Sequence, residues 1–458
     1  MTSLQHKTPS LYQLTWPIFI ELLLFMLMGN IDTFMLSAYS DESVAAVGVS
    51  NQILALIVLL FGFITAGTSV LVAQYRGARE NQKANELSYV SILVNLIFGL
   101  ILSGFLILNS TMLLKMMDLP SELMGPATSY TNIVGGFIFF QALIMTLAAI
   151  LRSNGFTKES MIVTILMNVL NVIGNAIFIF GLAGAPVLGE VGVAISTSFS
   201  RMVAFLFLAY FVYKRLGNVF FMRIKKSDTI IYLKKLLKIG VPSAGEQLSY
   251  QSSQIAITFF ISSLGTIALT TKVYATNVNM FVYLCSIAIG QGTMIIIGQM
   301  VGAGKFKEAY ERCVRSLKIS ILLSIIFAVV FSLAADPIFR LFTSNEEIIA
   351  ISKTIMMLTI ILEPGRAYNI VVINSLRAAG DVKFPVYIGI LSMWGVAVPL
   401  SYLLGIYFEL GLPGIWIAFA TDEWLRGILM YRRWRSRKWE KYSLVQNDES
   451  KISLSNVH

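Results

Sequence analysis

Long apolar segments recur along almost the whole chain, from Leu14 to Tyr431, and short polar segments separate them. A helix needs about 20 mostly apolar residues to cross about 30 Å of hydrocarbon. Twelve segments reach that length, so the pattern predicts twelve transmembrane helices. They lie at about 14–37, 47–73, 88–113, 127–151, 160–182, 191–213, 238–263, 274–300, 314–335, 350–375, 384–408 and 411–431.

The composition is that of a membrane protein. Of the 458 residues, 56% are hydrophobic and 13% are charged, whereas soluble domains are about 45–50% apolar and about 25% charged. The apolar segments leave no stretch long enough for a soluble catalytic domain. The predicted fold class is therefore an all-α polytopic membrane protein.

Few side chains that carry enzyme or metal chemistry are present. The two cysteines, Cys285 and Cys313, cannot build a disulfide framework. The two histidines, His6 and His458, lie in the terminal tails, so the interior has no imidazole for metal binding or a proton relay. A nucleotide-binding Gly-Lys-Ser/Thr motif does not occur. We therefore expect no enzyme, no resident cofactor or metal, and an ion gradient as the energy source.

The basic residues predict the orientation in the membrane. A net charge of +10 would suggest nucleic-acid binding only if the basic residues shared one exposed face, and they lie between apolar segments instead. With a cytoplasmic N-terminus, every inside loop carries Lys or Arg, and the outside loops hold only Lys115, Lys272, Arg340 and Lys353. The positive-inside rule then places both termini in the cytoplasm. The first segment is too long for a signal peptide, so we expect a multi-pass protein of a bacterial plasma membrane.

The two halves of the chain are repeats of each other. A shift of 225 residues, the separation of Pro17 and Pro242, also places Glu21 on Glu246 and aligns further Gln, Gly and Arg residues without a gap. Each half has an even number of spans, which predicts two six-helix bundles related by a pseudo-twofold axis along the membrane normal, as in alternating-access transporters. The predicted regions are a tail (1–13), an N-lobe (14–213), a basic linker (214–237), a C-lobe (238–431) and a second tail (432–458).

Several short motifs resemble those of the multidrug and toxic compound extrusion (MATE) transporters. They are Asp32-Thr33 ahead of Ala45–Gly48, the paired loops Gln74–Ala78 and Gln299–Ala303, and the paired segments Leu151–Gly155 and Leu376–Gly380. The resemblance covers about residues 10–440. It implies a two-bundle exporter of amphipathic organic cations that exchanges them for protons or sodium ions.

Charged residues inside the predicted spans are candidates for function, since each costs at least about 2.5 kcal/mol at the bilayer centre. Six acids and three arginines lie there, and the resulting balance of minus three favours a lumen that attracts cations. The acids are Glu21, Asp32, Glu246, Glu363, Asp422 and Glu423, and the arginines are Arg201, Arg366 and Arg426.

Asp32 is the sharpest candidate for ion coupling. It lies in the outer half of the first span and has no basic residue at helical spacing, and a carboxylate desolvated in this way accepts a proton more readily than one in water. A structural hydrogen-bonding role is the alternative. The resemblance supports coupling, because the N-lobe acid of the MATE family stands at this motif.

Three polar residues of the fifth and sixth spans are expected to line a pocket with Asp32. One branch of the family has an Asn, an Asp four residues later and then a Thr, which correspond to Asn171, Asn175 and Thr197. Asn175 at the acid position removes one negative charge and favours a proton over sodium. These residues could instead only make interhelical hydrogen bonds.

Glu21 and Glu246 are equivalent in the repeat, and each follows a proline by four residues. Proline near a helix start frees carbonyls that a wet crevice can accommodate. Glu246 is therefore a candidate for ion coupling or substrate contact, and Glu21 for the cavity wall. Both could instead be gate or structural residues.

The C-lobe offers a second set of candidates. Glu363 and Arg366 flank Pro364-Gly365. They could neutralise each other at i and i+3, or the kink could expose Glu363 to a cavity as a coupling residue, with Arg366 competing for the proton. Tyr250 and Gln254 belong to a polar patch of span seven that suits a hydrated cavity. For Asp422, Glu423 and Arg426 we expect structural pairing.

The sequence thus predicts a secondary active multidrug exporter that is coupled to protons or sodium ions, and it favours protons. Its partners would be a small organic cation and the lipid bilayer, without nucleic acid, and a monomer could suffice because one chain holds both lobes. A lipid-linked oligosaccharide flippase of the same superfamily is the alternative, but it would need a lumen rich in unpaired arginines. A membrane-embedded enzyme or a receptor-like protein fits the repeat less well.

Overall fold

The computed structural model describes residues 10–445, which form helices and no β-strand. The first half contains α1 (Leu11–Ser37), α2 (Asp41–Gly77), α3 (Asn81–Met116), α4 (Ser121–Gly136), α5 (Phe139–Ser153), α6 (Thr157–Phe180) and α7 (Gly189–Leu216). The second half contains α8 (Lys226–Ser263), α9 (Thr266–Gly302), α10 (Phe306–Leu333), α11 (Ala335–Arg340), α12 (Glu346–Ala378), α13 (Lys383–Ser392), α14 (Val398–Tyr402) and α15 (Gly411–Arg435).

Within the described residues, nine helical segments are long and apolar enough to cross a membrane, and the pair α4 and α5, bent by 43°, makes a tenth. The bend follows Gly135-Gly136, a usual place for a helix to kink. The predicted spans 7 and 12 correspond to α8 and α15, which are long enough but carry ionisable side chains. α7 and α8 leave only residues 217–225 between them, so most of the predicted 214–237 linker is helical.

The eleventh predicted span is one long helix, Lys383–Tyr407. The π-helical turn Met393–Ala397 joins α13 to α14, and a second π-helical turn, Leu403–Tyr407, follows α14. Such wide turns are frequent at functional sites, and Met393 and Ala397 line the cavity described below.

Contacts divide the described chain into two compact units. The N-terminal unit comprises Ile20–Val72 and Glu80–Gly240, and the C-terminal unit comprises the residues up to Phe19, Ala73–Arg79 and those from Val241 onward. Each has its own apolar core, which includes Phe61 and Leu106 in the first and Trp416 in the second.

The spans bury small polar side chains and expose large apolar ones. On α10, Ser316, Ser320 and Ser324 are fully buried, whereas Leu322 and Leu333 are exposed. Small residues allow close helix contact where lipid removes the hydrophobic force between helices. This distribution is the one expected of a bundle whose outer surface faces lipid.

The paired glycine motifs meet where the ends of α2 and α9 cross in the C-terminal unit. A Cβ on Gly77 would overlap the backbone of Gln299, and a Cβ on Gly302 would overlap the backbone of Gln74. The repeat therefore keeps glycine at both positions because the two helices are in backbone contact.

We expect Gly302→Ala to lower the melting temperature of the purified protein, since overpacking costs about 1–3 kcal/mol. Gly62→Ala on α2 is the matched control, because nothing lies within 4 Å of its added methyl group. Thermal unfolding followed in detergent would compare the two. Equal melting temperatures would contradict the close crossing.

Candidate functional site

A buried polar cluster in the N-terminal unit joins α1, α6 and α7. The Nδ2 of Asn175 donates to the Oδ1 of Asp32 at 2.6 Å and lies 3.4 Å from the Oδ1 of Asn171. The Nδ2 of Asn171 in turn donates to the Oγ1 of Thr197 at 3.2 Å. All four side chains are buried. The structure thus brings together the four residues that the sequence placed in one pocket.

Asp32 differs from the other five intramembrane acids in its partners. Each of the others forms a salt bridge with an arginine, whereas Asp32 has none within residues 10–445. Arg201 and Tyr130 interact with it electrostatically. No basic residue stands at helical spacing from Asp32 along α1, and Arg201 acts on it from a different helix, α7.

Two repeat-equivalent ion pairs connect α1 and α8 to the ends of the fourth spans. In the N-terminal unit, Arg152 Nη1 donates to Glu21 Oε1 at 2.8 Å, and the Ser160 hydroxyl donates to the same oxygen at 3.1 Å. In the C-terminal unit, Arg377 pairs with Glu246. Both arginines belong to the Leu-Arg motifs of the repeat.

These pairs correct the predicted charge balance. Arg152 and Arg377 were assigned to cytoplasmic loops, but they reach back to acids of the spans. Six acids are therefore faced by five arginines rather than by the three that the sequence counted. The attraction of cations then depends on single unpaired groups rather than on an acidic lumen.

A cavity of about 430 Å³ lies inside the C-terminal unit. The predicted residues Glu246, Tyr250, Gln254 and Arg366 all line it. Residues from α8, α9, α12, the eleventh span and α15 form the wall. Further lining side chains are Lys272, Asn279, Tyr283, Asn369, Arg377, Trp416, Phe419, Asp422, Glu423 and Arg426.

An ion network runs along one side of this cavity. Arg366 pairs with Glu363 at 2.6 Å and with Glu423 at 3.5 Å. Arg426 pairs with Asp422 at 2.6 Å and with Glu423 at 3.1 Å. The pairing predicted for the α15 residues is present, and it extends across to α12.

Glu363 itself does not face the cavity. Its side chain is fully buried and is not among the side chains that line the cavity, so of the two alternatives the ion pair with Arg366 is the arrangement found. α15 contacts α12 one turn before Pro364, since the Trp424 indole donates to the Ile361 carbonyl at 2.8 Å.

Sequence reasoning missed three polar neighbours of this network. Asn369 donates to Glu423 at 2.8 Å, and Ser392 donates to Asp422 at 2.5 Å. Lys272 lines the cavity but was counted as an outside-loop residue. Of the three, Asn369 could have been found from the sequence. It lies three residues after Arg366, which lies three residues after Glu363, so all three share one face of α12.

Comparison with known proteins gives one family for both repeats. The family model described as MatE matches residues 17–177 and again residues 242–403. The two matches start 225 residues apart, which is the shift found in the sequence.

Two curated relatives and one solved structure illustrate the similarity. The uncharacterized transporter YisQ of Bacillus subtilis (strain 168) is 52% identical over 94% of this chain and 95% of its own length. The probable multidrug resistance protein NorM of Thermotoga maritima is 27% identical over 96% and 95%. A crystal structure of the Vibrio cholerae MATE transporter VcmN, in a mutant form, has a TM-score of 0.86 at 21% identity and covers 94% of this chain and 97% of that one. The predicted all-helical fold with two six-helix bundles is confirmed.

Proposed function

We propose, since this chain belongs to the MatE family of multi-span membrane transporters, that it is a secondary active exporter coupled to an inward flow of protons. Its family is one of multidrug efflux transporters. The proposed cargo is an amphipathic organic cation. The proposed coupling residue is Asp32, with Glu246 and Glu363 in secondary roles.

The single observation that supports this proposal is that Asp32 forms no salt bridge within residues 10–445. An acid that is already held by an arginine must break an ion pair before it can exchange a proton. Within the described residues, Asp32 is the intramembrane acid without such a partner, and its direct contact is the neutral amide of Asn175. It can therefore exchange a proton or an organic cation at lower cost.

The amide of Asn175 suits both protonation states of Asp32. Its Nδ2 donates to the carboxylate, while its Oδ1 is buried without a hydrogen-bond partner in the part of the chain that is described. Rotation of the amide by half a turn would present Oδ1 to the proton of a neutral Asp32, because an amide can donate or accept. Protonation could thus change the local packing of α1 against α6.

Export follows from competition for one negative charge. An ionised Asp32 attracts an organic cation, and the attraction is strong in a medium of low dielectric constant. Protonation from outside removes the charge and lowers the affinity for the cation. A ligand shifts a conformational equilibrium only by its differential affinity for the two states. A proton that binds Asp32 in the outward-facing state weakens cargo binding in that state, and the cargo is therefore released outside.

Ethidium efflux from proteoliposomes tests the proposal. We expect efflux under an imposed pH gradient alone and no stimulation by a sodium gradient alone. A requirement for sodium would contradict proton coupling at Asp32 and would favour Glu246 and Glu363 as the ion-binding residues. Absence of ethidium transport under either gradient would contradict the export of organic cations.

The arrangement of arginines bears on the flippase alternative. Arg366, Arg377 and Arg426 line the C-terminal cavity, which is more cationic than the sequence suggested. All three are paired with carboxylates, however, and a pyrophosphate group requires arginines that are free to bind it. The exporter is therefore the better supported function.

A further inference from the structure

Lys272 is the unpaired cation of the C-terminal cavity. It is half-buried on α9, and its Nζ contacts the Thr258 hydroxyl at 3.0 Å. In the described part of the chain it has no salt bridge with a carboxylate. The other three basic residues of the wall, Arg366, Arg377 and Arg426, are all paired.

Five buried polar atoms of the same wall lack a hydrogen-bond partner among residues 10–445, including Nε of Arg377, Nε of Arg426 and Oδ1 of Asn369. The other two are the indole Nε1 of Trp416 and the Oδ1 of Asn279, and both of these side chains are more than nine-tenths buried and line the cavity. A buried donor or acceptor without a partner carries the full cost of its desolvation. A ligand whose polar groups form hydrogen bonds with these atoms would remove that cost.

The charges favour an anionic group in that ligand. Each lining carboxylate, Glu246, Asp422 and Glu423, is held by an arginine, so a cation entering the cavity would have to displace one. An anion has no ion pair to displace at Lys272, because within the described residues the ammonium is hydrogen-bonded to the neutral Thr258 hydroxyl and to no carboxylate.

The rest of the wall favours a flat aromatic body. Tyr250, Tyr283, Trp416 and Phe419 line the cavity, and aromatic side chains bind rings by offset or edge contacts. A volume of about 430 Å³ lies within the range of small-molecule pockets, about 300–1,000 Å³.

We propose that the C-terminal cavity binds an amphipathic aromatic acid, with its carboxylate at Lys272 and its ring against the aromatic side chains. The inference rests on the proposed function in one respect, since the bound acid is a cargo only if the chain is an exporter. It adds a class of substrate whose charge is opposite to that of the organic cations proposed for Asp32.

The test is the binding of radiolabelled 2-naphthoate to the purified full-length protein in detergent, read by scintillation proximity. We expect saturable binding of 2-naphthoate to the unmodified protein. As unlabelled competitors, the neutral 2-naphthamide and the cationic 2-naphthylmethylammonium should each bind at least about tenfold more weakly than 2-naphthoate. The Lys272→Gln variant should lose about tenfold or more in naphthoate affinity, and Lys272→Arg should stay within about threefold, because it keeps the charge.

Lys353→Gln is the matched control, since Lys353 is an exposed lysine paired with Asp336 outside the cavity. The inference is overturned if naphthoate binds Lys272→Gln as tightly as the unmodified protein, if the ammonium probe competes better than the amide, or if binding is not saturable. The comparison of probes needs no variant, so it decides the question even if Lys272→Gln fails to fold.

Ethidium efflux by the unmodified protein separates the two proposals. Failure of naphthoate binding with efflux intact would overturn the aromatic-acid site alone. Naphthoate binding without ethidium efflux under any gradient would overturn the proposed cation export and leave the site standing.

Discussion

Asp32→Asn is expected to reduce proton-driven ethidium efflux about tenfold or more, to the level of liposomes without protein, while the protein keeps its fold. The amide retains the size of the carboxyl and can still meet Asn175, but it cannot ionise. The variant therefore loses the difference in free energy between the protonated and the ionised states, and a tenfold loss corresponds to about 1.4 kcal/mol. Efflux rates at matched protein content would measure it.

Two control variants make this result specific. Asp41→Asn makes the same change at an exposed residue of α2 and should transport normally. Asp32→Glu keeps a carboxyl group and should retain part of the proton-driven efflux. Full efflux by Asp32→Asn at a normal melting temperature would remove Asp32 from the mechanism.

The fold was predictable because the membrane imposes a length on every span. A segment of about 20 mostly apolar residues has few alternatives to a transmembrane helix. Even α8 and α15 could be placed in this way, because apolar residues surround Glu246 and Asp422 in the sequence. The ends of these helices were less predictable. α8 begins at Lys226, ahead of the predicted start of span seven at 238. Its first turns mix polar and apolar residues, so no uniform apolar segment marks where the helix begins.

The N-terminal cluster was predictable from the resemblance to the MATE family together with helical spacing. Asn171 and Asn175 lie four residues apart and so share one face of α6, and both contact the residues expected of them. The effect of Arg201 on Asp32 was not predictable, since it depends on how α7 is rotated against α1.

The two ion pairs show what the repeat could have revealed. One shift aligns Glu21 with Glu246 and Arg152 with Arg377, so the separation of acid and base is 131 residues in both halves. Two oppositely charged residues retained at one separation in both repeats suggest contact. Assigning the arginines to loops by hydropathy hid this signal, because the guanidinium reaches back several ångströms from its Cα.

The burial of Glu363 leads to the largest expected effect on stability. Its carboxylate is fully buried, one oxygen is held by Arg366, and the other has no hydrogen-bond partner within the described residues. Arg366→Met would leave this charge uncompensated. Removing one partner of a buried pair typically costs about 3–5 kcal/mol, so we expect the melting temperature to fall by roughly 10 °C.

The double variant Glu363→Gln with Arg366→Met distinguishes this cause from simple loss of packing. If the uncompensated carboxylate is responsible, the double variant should recover much of the stability that Arg366→Met loses, because two partners removed together leave no buried charge. Arg340→Met is the control, since Arg340 also pairs with two acids but is exposed, where ion pairs contribute little. Equal losses in the single and the double variant would mean that Arg366 stabilises the C-terminal unit through its contacts with Glu423 and the Tyr283 ring, and that Glu363 tolerates burial without it.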